Sequence, residues 1–452
     1  MQLTDKNILV YGAAKSGISA AHLLQKLGAN VWLFDCNTKL TKEDFKDKLE
    51  GNRQFTFLSG TLKEVLLPML DLIIISPGVA LDHPDVLELI KKNIPVWSEI
   101  ELAYCFTKGK IIGITGTNGK TTTTTLVGEI MKSYFNEVFV VGNIGECYSD
   151  QALNTSAESV TVIELSSFQL ETIHTFRPDI SIILNITPDH LDRHHTMDHY
   201  IAAKERIAMN QTENELCILN YEDEILRTLS SRLYTDIMFF SSARKLPEGI
   251  YLDGDTIYYS NKLKTEFVCN VNELRLLGKH NYENVMAAVG AAITIGIPLE
   301  YIRKTILDFQ AVEHRIEYVE TIDGVTYYND SKGTNPDAAI RALQAIKGPT
   351  LLIAGGYDKK VSFDDLINSF EGKVKYLILL GQTREQLAVT ARNHGFTKII
   401  MVNSLKEAVI VSAKKAEAGD VVLLSPACAS WDMFDNYEQR GKLFKEYVRE
   451  ML

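Results

Sequence analysis

The stretch Ile111-Ile112-Gly113-Ile114-Thr115-Gly116-Thr117-Asn118-Gly119-Lys120-Thr121-Thr122 constrains this chain most, because an apolar strand runs into a glycine turn and then a helix. Gly116 and Gly119 let the backbone bend until successive N–H groups point at one anion, and the positive end of the helix adds to their field. Lys120 supplies a cation for outer phosphates, and the Thr121 hydroxyl is placed for Mg2+. The full pattern G-x-x-x-x-G-K-[ST] fails, since Ile114 stands where its first glycine belongs; the loop is the shortened G-x-x-G-K-T. Leu126, Val127, Ile130 and Met131 give the helix, read as Thr122 to Ser133, its apolar face. The alternative is an ordinary Gly/Thr-rich turn.

At 452 residues the chain exceeds a single core, and about three domains of ~150 residues are expected. A net charge of -11 argues against a nucleic-acid or anionic-membrane surface, while leaving room for a local basic pocket. The six cysteines stand far apart with no C-x-x-C pair, so neither a zinc site nor a disulfide framework is indicated, and a reducing cytoplasm fits. No signal-peptide pattern precedes the first strand, and no apolar run approaches the roughly 18 residues of a membrane span. A cytoplasmic protein is expected.

Asn7 to Gly12 reads as a strand, followed by a helix through Leu27 and a second strand, Val31 to Asp35. This βαβ opening is like the dinucleotide fingerprint G-x-G-x-x-G, but Ala14 replaces its middle glycine and hinders close pyrophosphate approach. NAD or FAD, a related nucleotide diphosphate, and a merely structural turn remain open, with the second favoured. The strand Asp71 to Ile75 runs into Ser76-Pro77-Gly78, and Ser98 to Lys108 reads as a bridge, placing a boundary near residue 100.

Beyond the phosphate loop, Gly142-Asn143-Ile144-Gly145 forms a loop, and Glu164 ends the strand Ser159 to Leu165, where a carboxylate commonly holds Mg2+. Ser166, Ser167, Phe168 and Gln169 follow at the same rim. The next strand ends in Thr187-Pro188-Asp189-His190-Leu191-Asp192-Arg193-His194-His195. That run suggests zinc through His190 and His194, a solvated loop, or a Mg2+/phosphate rim, the last being favoured. Lys204, inside the helix Met197 to Met209, reads by itself as a surface lysine. Glu213 to Asn270 reads as short strands and turns. Asn281 and Asn284 share a face near the start of an alanine-rich helix, where they either reach a base or cap the helix. Val312-Glu313-His314-Arg315 reads as a hinge into a third domain, whose strands each end in a polar loop, as in a parallel sheet with its ligand crevice at the strand ends.

Taken together, T-G-T-N-G-K-T-T, G-N-I-G, E-L-S-S-F-Q-L, N-x-T-x-D-H-L-D-R-H, H-N-x-x-N, E-H-R, N-D-S-K-G-T-N and S-P-A-C-A-S-x-D-M-F-x-x-x-x-x-R-G resemble the Mur ligase family over nearly the whole chain. The resemblance implies an α/β protein of three domains: a Rossmann-like UDP-binding domain (1–100), a central P-loop-type ATPase domain with a parallel sheet (101–311), and a C-terminal Rossmann-like domain binding the amino acid (312–452). It implies an ATP-dependent amide ligase that adds D-glutamate to UDP-N-acetylmuramoyl-L-alanine through an acyl phosphate, with no nucleic-acid or membrane partner and a monomeric state. Gly116, Thr117, Asn118, Gly119, Lys120, Thr121 and Thr122 would hold ATP phosphates, and Asn281, Asn284, Arg315 and Asp330 the rest of the nucleotide. Thr121 and Glu164 would bind one Mg2+, with His190 and a carbamylated Lys204 at the second. Asn143, Ser166, Gln169 and His190 would meet the muramoyl substrate, and Lys15, Ser16, Asp35 and Ser76 its uridine. Lys332, Thr334, Lys359 and Ser430 would meet D-glutamate, with Tyr437 where relatives often carry phenylalanine. A folate or other amino-acid ligase, and a nucleotide-binding regulator without turnover, are the alternatives; a first domain shaped for a UDP-sugar and the presence of Lys120, Glu164 and His190 weigh against them.

Overall fold

The protein is described here from a computed structural model covering residues 2–49, 55–62, 69–276, 278–310 and 313–451; Leu277 and the expected junction at 311–312, with Val312, lie outside them. Three sheets follow one another along the chain. The first holds β1 (Asn7–Tyr11), β2 (Asn30–Asp35), β3 (Thr56–Ser59), β4 (Leu72–Ile75) and β5 (Val96–Ser98), all parallel in the order β3-β2-β1-β4-β5. That order reverses direction beside β1, which opens a crevice at the strand ends.

The second sheet holds β6 (Lys110–Thr115), β7 (Val138–Gly142), β8 (Val160–Glu164), β9 (Ile180–Ile183), β10 (Leu216–Asn220), β11 (Asp236–Ser241), β12 (Glu248–Asp253), β13 (Thr256–Asn261) and β14 (Thr265–Asn270). Its order is β14-β13-β12-β11-β10-β9-β6-β8-β7, parallel except for the β12-β13-β14 meander at one edge. β6, β8 and β9 are apolar and almost wholly buried, as strands covered on both faces must be. The third sheet holds β15 (Glu317–Ile322), β16 (Val325–Asn329), β17 (Thr350–Ala354), β18 (Val374–Leu379), β19 (Ile399–Met401) and β20 (Val421–Leu424), ordered β15-β16-β20-β17-β18-β19, with only β15 antiparallel.

Two segments differ from their sequence reading. Ser98 to Lys108 contains a helix, Glu99–Tyr104, whose first five residues are buried, and Glu213 to Asn270 includes the helix Glu224–Ser230 among its strands. Both helices are too short for periodicity to reveal them. The first one joins the domains: one continuous apolar cluster runs from Ile8, Val10 and Leu33 through Ile100 and Leu102 to Ile163, Leu170 and Phe176. Glu101, fully buried, accepts hydrogen bonds from the amides of His174, Thr175 and Phe176 and from the Thr175 hydroxyl. Glu101→Ala leaves those donors unpaired, and a loss of about 3 kcal/mol in urea unfolding is expected; an unchanged midpoint would contradict this anchoring. The clusters of the third domain, in contrast, contain no residue of the first two. Polar contacts join it to them.

Candidate active site

Those polar contacts converge on the phosphate loop. Gly116 and Gly119 have φ of 146° and 88°, and Gly119 caps the helix Lys120–Lys132 in the left-handed region, a conformation that side chains resist. A Cβ on Gly119 would come within 2.3 Å of Asn284 Oδ1, so the loop and the helix Lys279–Thr294 are in close contact. Lys120 Nζ donates to the Gly116 and Thr117 carbonyls at 2.9 and 2.8 Å, and burial lowers its pKa. Thr117 bonds Thr187 O and Tyr200, Asn118 N–H donates to Asn185, and Thr121 and Thr122 are buried. Among the described residues the Thr122 hydroxyl has no partner.

Glu164 ends β8, the strand beside β6, and is 2% exposed. Its Oε1 accepts from Asn143 Nδ2 at 2.9 Å, while Oε2 has no partner among the described residues. A buried carboxylate oxygen left unpaired is costly unless a cation meets it.

Lys204 departs most from its local sequence reading: it is 1% exposed rather than a surface residue. Its Nζ donates to Gly116 O at 2.7 Å and lies 4.7 Å from the Tyr200 ring centroid. Burial and then Lys120 push its pKa well below the ordinary lysine value.

His190 takes φ of 53° at the start of the short helix Leu191–His194, and burial brings its pKa down to about 4, so it is neutral at neutral pH. His194 turns instead to Ser167 Oγ at 2.9 Å and to Glu171 at 3.4 Å. The zinc reading of His190 and His194 therefore finds no shared ligand group among the described residues.

Asp189, just before His190 and unassigned in the sequence reading, receives Lys359 Nζ at 3.2 Å and Asn335 Nδ2 at 3.1 Å, both from the third domain. Asp337 accepts from Asn118 of the phosphate loop at 2.6 Å and from Arg341 at 2.9 Å, and Arg341 lies 3.7 Å from Glu283. Burial raises the Asp189 pKa, yet Lys359, His190 and Asn335 outweigh it and hold the carboxyl at about 2, against an ordinary 3.8. A depressed carboxyl pKa adds stability that is complete above the ordinary value and is lost as pH falls through the depressed one. Asp189→Asn is thus expected to flatten the acid-unfolding curve between about pH 4 and pH 2; an unchanged curve would show that the pair adds nothing.

Asn281 and Asn284 are buried, with Asn284 Nδ2 donating to Asn281 at 3.1 Å. Asn284, Arg315 and Asp330 line one small cavity with Asn118, Gly119 and His280. Burial raises Asp330 to about 6 despite Arg315 and a 2.7 Å bond from Ser425. On the facing wall of the third domain, Lys332 Nζ lies 5.0 Å from the centroid of the Tyr437 ring, and burial lowers its pKa to about 8. Ser430 is 2% exposed and Thr334 half-buried. Arg440, quoted in the last motif but given no role there, is buried and donates to the Ser331, Cys428 and Ala429 carbonyls, tying together the loops that carry Lys332 and Ser430.

A cavity of about 730 Å³ lies between the first two domains and is lined by Lys15, Ser16, Asp35, Ser76, Asn143 and Gln169, together with Tyr11, Cys36 and His83. Lys15 Nζ donates to Gly145 O across it, and Asp35 accepts from Ala13 N–H. Ser166 is not among its lining residues; Ser166 and Gln169 form a reciprocal cap on the helix Ser167–Leu170. Asn143 on its wall bonds Glu164, which ends the strand beside β6.

A glycine turn into a helix, a buried carboxylate and a group of buried lysines thus gather at the strand ends of a three-domain α/β protein. The family descriptions that match are the MurD-like N-terminal domain of Mur ligases (residues 6–98), the Mur ligase middle domain (114–292) and the Mur ligase glutamate ligase domain (314–428). UDP-N-acetylmuramoylalanine--D-glutamate ligase of Lachnoclostridium phytofermentans is 56% identical over 100% of this chain and 99% of its own, and that of Clostridioides difficile 45% identical over 100% of both. Among solved structures, the UDP-N-acetylmuramate-alanine ligase MurC of Thermotoga maritima aligns with a TM-score of 0.61 at 18% identity, over 99% of this chain and 100% of that one. MurF ligase of the same organism, in complex with ADP, aligns at 0.60 and 16%, over 94% and 96%. The chain belongs to the Mur ligase family.

Proposed function

We propose that this chain is an ATP-dependent amide ligase that adds D-glutamate to UDP-N-acetylmuramoyl-L-alanine in cytoplasmic peptidoglycan precursor synthesis, acting as a monomer. The observation that carries the chemistry is the buried Glu164 oxygen, without a partner among the described residues and within electrostatic reach of Lys120 and Lys204. The relatives' shared name supports the substrates.

In this reading a carboxylate oxygen of the muramoyl substrate attacks the terminal phosphorus of ATP and ADP leaves. The D-glutamate nitrogen then attacks the acyl carbon, phosphate departs, and the amine gives up a proton. The residues position these groups and offset charge. Amides of the loop from Gly116 to Thr122 hold the phosphates, and Lys120 meets the charge of the moving phosphoryl group. Asn281, Asn284, Arg315 and Asp330 hold the rest of the nucleotide. Lys15, Ser16, Asp35 and Ser76 line the uridine end of the crevice; Asn143, Ser166 and Gln169 serve the muramoyl end. Lys332, Thr334, Lys359 and Ser430 receive the two D-glutamate carboxylates, with Tyr437 at their side.

The donor set suits Mg2+: Thr121 and Glu164 would hold one ion, and neutral His190 with a carbamylated Lys204 a second, supplying positive charge opposite the phosphates. The test is ADP release with ATP, Mg2+, the muramoyl-alanine nucleotide and single amino acids. Release is expected with D-glutamate; none with it would remove this reading.

A further inference from the structure

We propose that Cys36, His83 and Asp85 form a site for a soft divalent cation of the zinc class on the wall of the crevice between the first two domains, and that its occupancy opposes binding of the nucleotide-sugar there. The thiol, a ring nitrogen and a carboxylate oxygen of these residues all lie within 4.8 Å of one another. They come from the end of β2 and from the start of the helix Pro84–Lys91.

His83 Nδ1 and Asp85 Oδ2 are 4.0 Å apart, against roughly 3.3 Å between ligands of a tetrahedral zinc ion. Closing that gap takes only a small side-chain movement, which the open wall permits: Cys36 is exposed and His83 and Asp85 half-buried. The His83 ring nitrogen now receives Asp85 N–H at 3.3 Å, a long bond that a metal would replace.

The donor chemistry selects the ion. A thiolate and an imidazole favour zinc over magnesium, and three protein donors leave a fourth position for water. The Tyr11 hydroxyl stands at 3.1 Å from Cys36 Sγ and 3.3 Å from both His83 Nδ1 and Asp85 Oδ2. The hydroxyl donates to Asp85 and touches both other ligands, so it helps to orient them.

A second such cluster among the described residues, Glu313, His314 and Glu317, already holds a cation: Lys445 Nζ reaches Glu313 at 2.6 Å and Glu317 at 2.8 Å. Cys36, His83 and Asp85 are instead held by the Tyr11 hydroxyl and by one another.

Tyr11, Cys36 and His83 line the same cavity as Asp35 and Ser76, which places the cation where the uridine end of the substrate is read to lie. The cation site stands on geometry alone; its coupling to substrate rests on the proposed function.

The test titrates the full-length protein with Co2+ in excess Mg2+. A thiolate-to-cobalt charge-transfer band is expected, saturating at one equivalent, lost in Cys36→Ser and shifted at least about tenfold in midpoint in His83→Gln. No band, or a band that survives Cys36→Ser, overturns the site. In turnover assays Zn2+ is expected to raise KM for the nucleotide-sugar several-fold in the unaltered protein while leaving KM for ATP unchanged, and to do neither in Cys36→Ser. An unchanged KM, or an equal rise in Cys36→Ser, overturns the coupling. Absence of all turnover with the muramoyl nucleotide would instead count against the proposed function, and the cobalt band would still report the cation site.

Discussion

Lys120→Ala is expected to lower kcat by about 10³-fold or more while leaving the folded protein intact. The side chain leaves the first residue of the helix Lys120–Lys132 and curls back over the Gly116 and Thr117 carbonyls, so its ammonium sits inside the loop that would hold the phosphates. Phosphoryl transfer gathers charge on the moving group, and a cation fixed there stabilises the transition state more than the bound nucleotide. The loss should therefore fall on kcat more than on KM for ATP. The loop itself should survive, because Lys204 also holds the Gly116 carbonyl, Asn185 bonds Asn118 N–H and Tyr200 bonds Thr117. Steady-state ADP release and a thermal melt separate the two effects. Turnover within tenfold of the unaltered protein would contradict the assignment.

Lys204→Ala is expected to cost a comparable factor, and short carboxylic acids such as formate or acetate should restore part of it. Burial and Lys120 lower the Lys204 pKa, which raises the share of free amine above that of an exposed lysine, and only the free amine reacts with carbon dioxide. The amine nitrogen bonds the carbon, one C=O π pair moves to oxygen, and a proton is released, leaving an anionic carbamate. A side chain that carries no negative charge becomes an anion that attracts Mg2+. Exogenous carboxylate in the vacated space would supply the same charge. Removing carbon dioxide from the unaltered protein should lower activity, and restoring it should return activity faster at higher pH, where more amine is unprotonated. Full activity in Lys204→Ala would show that the buried lysine has no part in the reaction; loss without any rescue would contradict the carbamate.

Much of the middle domain could be read from neighbouring residues. The run from Ile111 to Thr122 names strand, turn and helix in one breath, because the positive φ of Gly116 and Gly119 is a property of those residues and their immediate neighbours. The place of Glu164 was legible for a related reason: it closes the buried apolar run of β8, which the sequence marks. Lys204 was not legible from its own helix, whose polar and apolar residues show no marked face; the family motifs alone pointed to it. Asp189 stood in view inside Thr187 to His195, but its partners Lys359 and Asn335 lie 170 and 146 positions away.

By itself, the sequence determined the glycine turn between β6 and its helix, the α/β class and the residue types gathered at strand ends, since each depends on backbone preferences and periodicities a few residues long. Tertiary structure alone decided which of those strand ends meet: that Lys204 lies beneath Gly116, that Asp189 faces Lys359, and that Tyr11, Cys36, His83 and Asp85 share one wall. The reason is physical. Crossover connections and close packing set distances between residues far apart in the chain, and burial then changes the charge a side chain carries, which no local pattern records.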